Sequence, residues 1–289
     1  MPKFLRILLT GTAFLAFFLA GGFLGRIALP VLRILPGTPE RKRLRRERML
    51  LWAYHLFIRY AQGLGLIAFA APPLPPELPP TGQAYVLIAN HPTLLDTMIL
   101  LSMFPGLTAV AKYTWYRSWL IRPLLELGGH IPGPQPALGP GDEVEAQDDG
   151  GSANPALDRM VEHLRAGHPL SIFPEGSRSH ERALRRFRRG ALEAAIRAQV
   201  PIVPVFISVV PPMLMKHQPW HEVPARRGRF TVEFFPVIPT AGRELDARAL
   251  NRELRDRYEQ RHARMLAERD ALAAAADRPA LPPGQGSHE

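Results

Sequence analysis

Residues 84 to 96 read "AYVLIANHPTLLD" and pass from an unbroken apolar run straight into a polar turn. A short apolar run rich in β-branched residues and closed by turn formers predicts a strand buried on both faces, as in a parallel sheet. Pro92 suits the first turn of a helix, which places Asp96 inside that helix. A strand feeding a helix through a polar turn is the repeating unit of α/β folds, and active groups of open α/β sheets collect at such turns.

The rest of the chain repeats this unit. "LTAVA" (107–111), "LSIF" (170–173), "IVPVFISVV" (202–210) and "FTVEFFPVI" (230–238) predict further strands. Between them, helices are expected near 92–103, 117–127, 154–167, 189–199 and 244–273. The clearest is "NPALDRMVEHLRAG" (154–167), with Asn154 as cap, Pro155 in the first turn, Gly167 as stop and an apolar face of Leu157, Met160, Val161 and Leu164. The expected fold class is therefore α/β, a single domain with a mostly parallel central sheet flanked by helices.

An N-terminal region precedes that domain. Ile7 to Gly25 carries no charged side chain. As a helix it would extend roughly 28 Å, against a hydrocarbon core of ~30 Å. It is long enough to span, while Gly21, Gly22 and Gly25 also permit a bent or re-entrant helix, and a signal peptide is the competing reading. Residues 41 to about 67 predict a basic, then apolar, helix that lies on a membrane or packs as core. "APPLPPELPP" (71–80) forms a stiff linker. The expected organisation is 1–70 anchoring and basic helices, 71–81 linker, 82–273 main α/β domain, a flexible acidic insertion at 135–153, and a loose tail at 274–289.

Charge follows the same division. The chain carries +10 and no cysteine. Residues 1 to 48 hold ten Arg and Lys against two Glu, a net +8, which leaves about +2 for the rest. Cations beside an apolar segment predict contact with anionic lipid rather than nucleic acid, for which no recognisable module is present. If the helix spans, the positive-inside rule puts the main domain on the cytoplasmic side of a bacterial-type inner membrane. The absence of cysteine excludes disulfides, thiolate metal sites and cysteine nucleophiles.

The chemistry rests on two turns. In the first, His91 and Asp96 suit a catalytic dyad in which the carboxylate fixes the imidazole tautomer, and they suit equally a satisfied polar pair. A metal pair is the weakest reading, because neither H-E-x-x-H nor a His/Asp cluster accompanies them. The second turn, "SIFPEGSRS" (171–179), repeats the design: Glu175 and Arg178 bracket Gly176 and Ser177, and form either an ion pair or a ligand site.

Together "NHPTLLD" and "FPEGSRS" resemble the signature of the glycerolipid acyltransferase family, best known for 1-acylglycerol-3-phosphate acyltransferases. Ser177 stands where the family has threonine. "FRRG" (187–190) and "VPIVPVFI" (200–207) resemble the blocks that follow, Lys112 sits where a lysine is frequent, and "PPMLMKHQPW" (211–220) is similar to a subset of bacterial members. The likeness covers about residues 84 to 240.

It implies transfer of a fatty acyl group from acyl-carrier protein or acyl-coenzyme A to a lysophospholipid hydroxyl. His91 would be the general base and Asp96 its orienter. Asn90, Lys112, Glu175, Gly176, Ser177 and Arg178 would bind substrate. No cofactor or metal is implied; the thioester is a co-substrate. One departure stands out: the family's "G-x-x-F-I-x-R" block corresponds to "LGGHIPGPQP" (127–136), which has no arginine. A phosphate-binding arm is missing, and His130 in that block reads as structural. Alternatives are the same chemistry on another acceptor (a glycolipid, an aryl-polyene or ornithine-lipid precursor) and an inactive membrane-binding relative.

Overall fold

The computed structural model describes residues 2–134 and 155–276, with side chains up to 272. The acidic insertion expected at 135–153, the cap Asn154 and the tail beyond 276 lie outside the described residues.

In chain order the elements are α1 (Lys3–Phe23), a π-helical turn (Leu24–Ala28), α2 (Leu29–Ile34), α3 (Pro39–Gly63), β1 (Ile67–Phe69), β2 (Val86–Ala89), α4 (Asp96–Met103), β3 (Thr108–Ala111), α5 (Tyr113–Tyr116), α6 (Arg122–Gly128), β4 (Ile131–Pro132), α7 (Pro155–Arg165), β5 (Leu170–Ile172), α8 (Gly190–Ala198), β6 (Ile202–Val210), β7 (Gly228–Phe234) and α9 (Ala247–Ala276). The seven strands form one sheet in the order β1-β7-β6-β2-β5-β3-β4. Every pairing is parallel except β6 with β7.

The central strands are apolar on both faces because both are covered. Leu87, Ala89, Val203, Val205 and Ile207 pack toward α1, α3 and α4. Val86, Ile88, Ile202 and Phe206 pack toward α7, α8 and α9. The sheet also begins earlier than expected. β1 precedes the proline-rich linker yet pairs with β7, so residues 67–69 belong to the sheet rather than to an N-terminal helix.

Lys3–Ile34 forms one helical stretch long and apolar enough to cross a membrane. Its inward face packs against the rest of the protein. A Cβ on Gly25 would lie 2.4 Å from the Leu124 backbone nitrogen, and one on Gly21 2.9 Å from Ile121 Cδ1, so the small residues let the helix approach α6 closely. The helix changes to a π-helical turn at 24–28, next to this contact. Further along, Phe14 meets Trp220 edge to face, and Phe17 packs beside Phe57. Its outward face is a stripe of exposed Phe4, Leu8, Leu15, Leu19, Phe23, Ile27, Val31 and Ile34.

α3 packs as a core helix along one face and leaves apolar residues exposed on another. Thr38 caps it by accepting the Arg41 N–H. Leu50, Tyr54, Ile58 and Ala61 face the core, while Trp52 and Leu56 are exposed.

Candidate active site

Parallel register brings the two polar turns together. Ile88 pairs with Ile172, so the chain beyond β2 at Asn90–His91 lies beside the chain beyond β5 at Pro174–Glu175. Lys112 follows β3 at the same edge of the sheet, exposed, as the residue before α5. This is the carboxyl edge, where open α/β sheets bind ligands.

Asn90 is buried and anchors the first turn to β6. Its amide donates to the Ile207 carbonyl at 2.8 Å and its carbonyl accepts the Ile207 N–H at 2.7 Å. His91 then projects with its Nδ1 2.8 Å from Asp96 Oδ2. The same carboxylate accepts the Thr93 N–H at 2.7 Å and the Thr93 hydroxyl at 2.6 Å. Asp96 has no exposed side-chain surface and meets three donors, so the proton between it and His91 sits on Nδ1. Nε2 therefore keeps its lone pair, and no protein group among the described residues occupies it. Phe173 stacks on the imidazole at 4.1 Å between ring centroids and fixes the ring plane.

Helix α4 starts at Asp96, four residues later than expected from Pro92. Asp96 reaches back to Thr93 while the Thr93 hydroxyl accepts the Leu95 N–H, a capping arrangement that holds residues 92–95 as a turn. Asp96 is thus a first-turn residue rather than an interior one.

Glu175 is turned inward, which differs from the expectation that it meets the substrate. Oε1 accepts the His91 N–H at 2.9 Å and the Ser179 hydroxyl at 2.8 Å, and Oε2 accepts the Arg185 N–H at 2.8 Å. Burial pushes its carboxyl above the usual range, against the pull of those donors. The carboxylate braces one turn against the other. Nor do Glu175 and Arg178 form an ion pair. Arg178 instead donates through Nη1 to the Leu214 and Met215 carbonyls at 2.9 and 3.0 Å. Leu214 O also accepts the Leu94 N–H at 3.2 Å, so loop 211–220 is tied to both turns. Nε and Nη2 of Arg178 meet no protein acceptor among the described residues. Gly176 adopts φ +68°, and a Cβ there would meet the Arg188 guanidinium at 3.2 Å. Ser177, the next residue, is half-buried.

Two supports were not foreseen from sequence. Tyr258 of α9, wholly buried, donates to the Ile88 carbonyl at 2.7 Å and accepts the Val205 N–H at 2.9 Å, pinning β2 just before the catalytic turn. Loop 211–220 holds Leu214 and His217 at φ +53° and +65°, conformations that L residues adopt only when the surroundings impose them. His130, by contrast, is structural as expected. Its Nδ1 accepts the Ala109 N–H at 3.0 Å, so Nε2 carries the proton toward the Tyr54 hydroxyl 3.3 Å away. Burial pushes its pKa down to about 4, and the ring supplies no cation to the site.

The arrangement suits proton abstraction by a carboxylate-backed imidazole. Among known proteins, residues 75–208 match the Acyltransferase family model. That model and the relatives that follow support the glycerolipid acyltransferase family. This acyltransferase is 28% identical over 228 residues to the 1-acyl-sn-glycerol-3-phosphate acyltransferase alpha of Ovis aries, covering 78% of this chain and 69% of that one. It is 34% identical over 133 residues to the 1-acyl-sn-glycerol-3-phosphate acyltransferase of Saccharomyces cerevisiae, covering 44% and 39%. In fold, the acyltransferase resembles the crystal structure of the 1-acyl-sn-glycerophosphate (LPA) acyltransferase from Thermotoga maritima, with a TM-score of 0.70, 17% identity, and 92% and 98% of the two chains covered.

Proposed function

We propose that this acyltransferase moves a fatty acyl group from a thioester, acyl-carrier protein or acyl-coenzyme A, to the free hydroxyl of 1-acyl-sn-glycerol-3-phosphate. The observation that carries the proposal is the His91–Asp96 contact, which leaves Nε2 basic at the carboxyl edge of the sheet. Nε2 takes the acceptor's hydroxyl proton as the oxygen attacks the thioester carbonyl. Asp96 stabilises the imidazolium so formed. The tetrahedral adduct collapses with cleavage of the C–S bond, and the imidazolium returns its proton to the departing thiolate. No acyl-enzyme is required. Lys112, at the carboxyl edge of the sheet, and the unengaged Nε and Nη2 of Arg178 bind the acceptor's phosphate. Mass spectrometry of lipid products with wild type and His91→Ala tests the proposal. Unchanged conversion of lysophosphatidic acid by the variant refutes it.

A second reading keeps the chemistry and changes the acceptor. It is favoured by residues 127–136, where His130 is buried and neutral rather than a cation facing the site. An acceptor panel separates the two readings: exclusive use of lysophosphatidic acid at full rate removes the second.

The site works at a membrane surface in both readings. Because the inward face of Lys3–Ile34 packs on α6 and Trp220 while the outward face is an apolar stripe, the helix lies embedded along one leaflet, with the basic start of α3 at the headgroups. The catalytic domain then stays on one side, the cytoplasmic one by the charge bias.

A further inference from the structure

Arg6 sits in the most apolar segment of the chain, yet it is 5% exposed, and Thr10, one turn later on the same face, is 3% exposed. The protein alone produces this burial. Neither the Arg6 Nε nor the Thr10 hydroxyl meets a hydrogen-bond partner, and no ion pair reaches Arg6 among the described residues. The segment 1–39 contains no acidic residue that might neutralise it. The Arg6 Nε and the Thr10 hydroxyl are therefore cut off from solvent with their hydrogen-bonding capacity unmet, which costs free energy unless a polar group reaches them. The loop that carries Trp220 closes over the next turn: its ring lies 3.4 Å from where a Cβ on Gly11 would be. That loop is the one held by Arg178 and Leu94 beside the catalytic turn.

We infer that Arg6 and Thr10 form a binding site for a phosphate-bearing lipid headgroup, between the embedded helix and loop 211–220. A guanidinium and a hydroxyl stacked one turn apart match a phosphate's acceptor oxygens. The exposed Phe4, Leu8 and Leu15 on the opposite face put the site at bilayer depth, where a phosphate arrives attached to acyl chains. The inference rests on the membrane placement proposed above. Two sources offer the same chemistry: a resident bilayer phospholipid, or the acceptor itself, whose phosphate would then gain the cation missing from 127–136.

The test uses the full chain in maltoside micelles, alone or doped with phosphatidylglycerol, followed by thermal melting and by kinetics with lysophosphatidic acid. Phosphatidylglycerol should raise the wild-type melting temperature by several degrees. Arg6→Leu and Thr10→Val should lose at least half of that rise, Arg6→Lys should keep part of it, and the exposed control Arg33→Leu should keep all of it. In undoped micelles Arg6→Leu should melt no lower than wild type, since it removes a buried N–H that has no partner. If KM for lysophosphatidic acid also rises about tenfold in Arg6→Leu with kcat unchanged, the phosphate is the acceptor's; an unchanged KM with a lost thermal shift identifies a bilayer lipid. An equal shift in wild type and Arg6→Leu overturns the inference. Should Arg6→Leu fail to fold, Thr10→Val and Arg6→Lys decide in the same way. Failure of wild type to sediment with vesicles would overturn the membrane placement itself, a separate outcome.

Discussion

The backbone N–H of His91 donates to Glu175 Oε1 at 2.9 Å, across 84 positions of chain. His91, the proposed base, is thus held at its main chain by Glu175 and at its ring by Asp96 and Phe173. Glu175→Gln places an NH2 group where only donors converge. It is expected to lower kcat by one to two orders of magnitude and to cost about 2 kcal/mol of stability, the scale of one mispaired buried group. Urea unfolding and initial rates check both; wild-type behaviour in each would exclude a bracing role.

Removing the base has a simpler consequence. His91→Ala should lower kcat by ~10²- to 10⁴-fold with the fold intact by circular dichroism. Asp96→Asn should lose as much activity and also stability, because its amide would face the Thr93 donors. If Asp96→Asn retains full kcat, the tautomer assignment fails.

Arg178 is expected to act on two parameters. Arg178→Ala releases the Leu214 and Met215 carbonyls and should lower kcat through loop 211–220, and raise KM through loss of a cation. Arg178→Lys keeps the charge but not the fork, so it should restore KM more than kcat. Parallel loss of both parameters in the two variants would assign Arg178 a purely structural part.

His130 sets a pH dependence of stability. Its pKa is about 4 when folded, against an ordinary value near 6.5. Below pH ~6.5 the unfolded chain takes up a proton that the folded chain refuses. Stability from this group is therefore complete above that pH and declines as pH falls toward 4, by roughly 2 kcal/mol at pH 5. His163, also pushed down to about 4 by burial, adds a similar slope. Denaturant midpoints from pH 7 to 5 should fall less steeply in His130→Asn; an equal slope would assign the loss elsewhere.

Gly25 and Gly22 should respond differently to alanine. A Cβ on Gly25 meets Leu124 backbone at 2.4 Å, whereas one on Gly22 meets the Leu120 side-chain tip at 2.3 Å. Backbone cannot step aside, so Gly25→Ala should cost about 1–3 kcal/mol and Gly22→Ala less. Melting temperatures in detergent rank them.

Much of the sheet is legible in the sequence because its strands are continuous apolar runs. The reading of 202–210 as strand matches β6 residue for residue. β1 and β4 are not legible: three and two residues carry no periodicity, and their pairing partners alone make them strands. The start of α4 is shifted by side-chain bonds between Thr93 and Asp96 that outweigh the helix preference of Pro92. Within the site, the meeting of His91 with Asp96 follows from local spacing. The inward turn of Glu175 and the diversion of Arg178 do not, because apart from the Ser179 hydroxyl their partners are backbone groups of His91, Arg185, Leu214 and Met215, and backbone groups leave no mark on residue identity. Tyr258 is hidden for a related reason: nothing in a largely polar helix singles it out.

The glycines that seat the first helix have a practical corollary. Ala13, Leu24 and Leu29 belong to the same apolar cluster as Leu87 and Val205 behind the catalytic turn. The first helix and the sheet therefore share one core. Trimming residues 1 to 40 to obtain a soluble catalytic fragment would strip the back of the active site, and a generic hydrophobic leader spliced in their place would lack the three small residues that fit α6. Engineering of this acyltransferase should keep the N-terminus native and change the lipid environment instead.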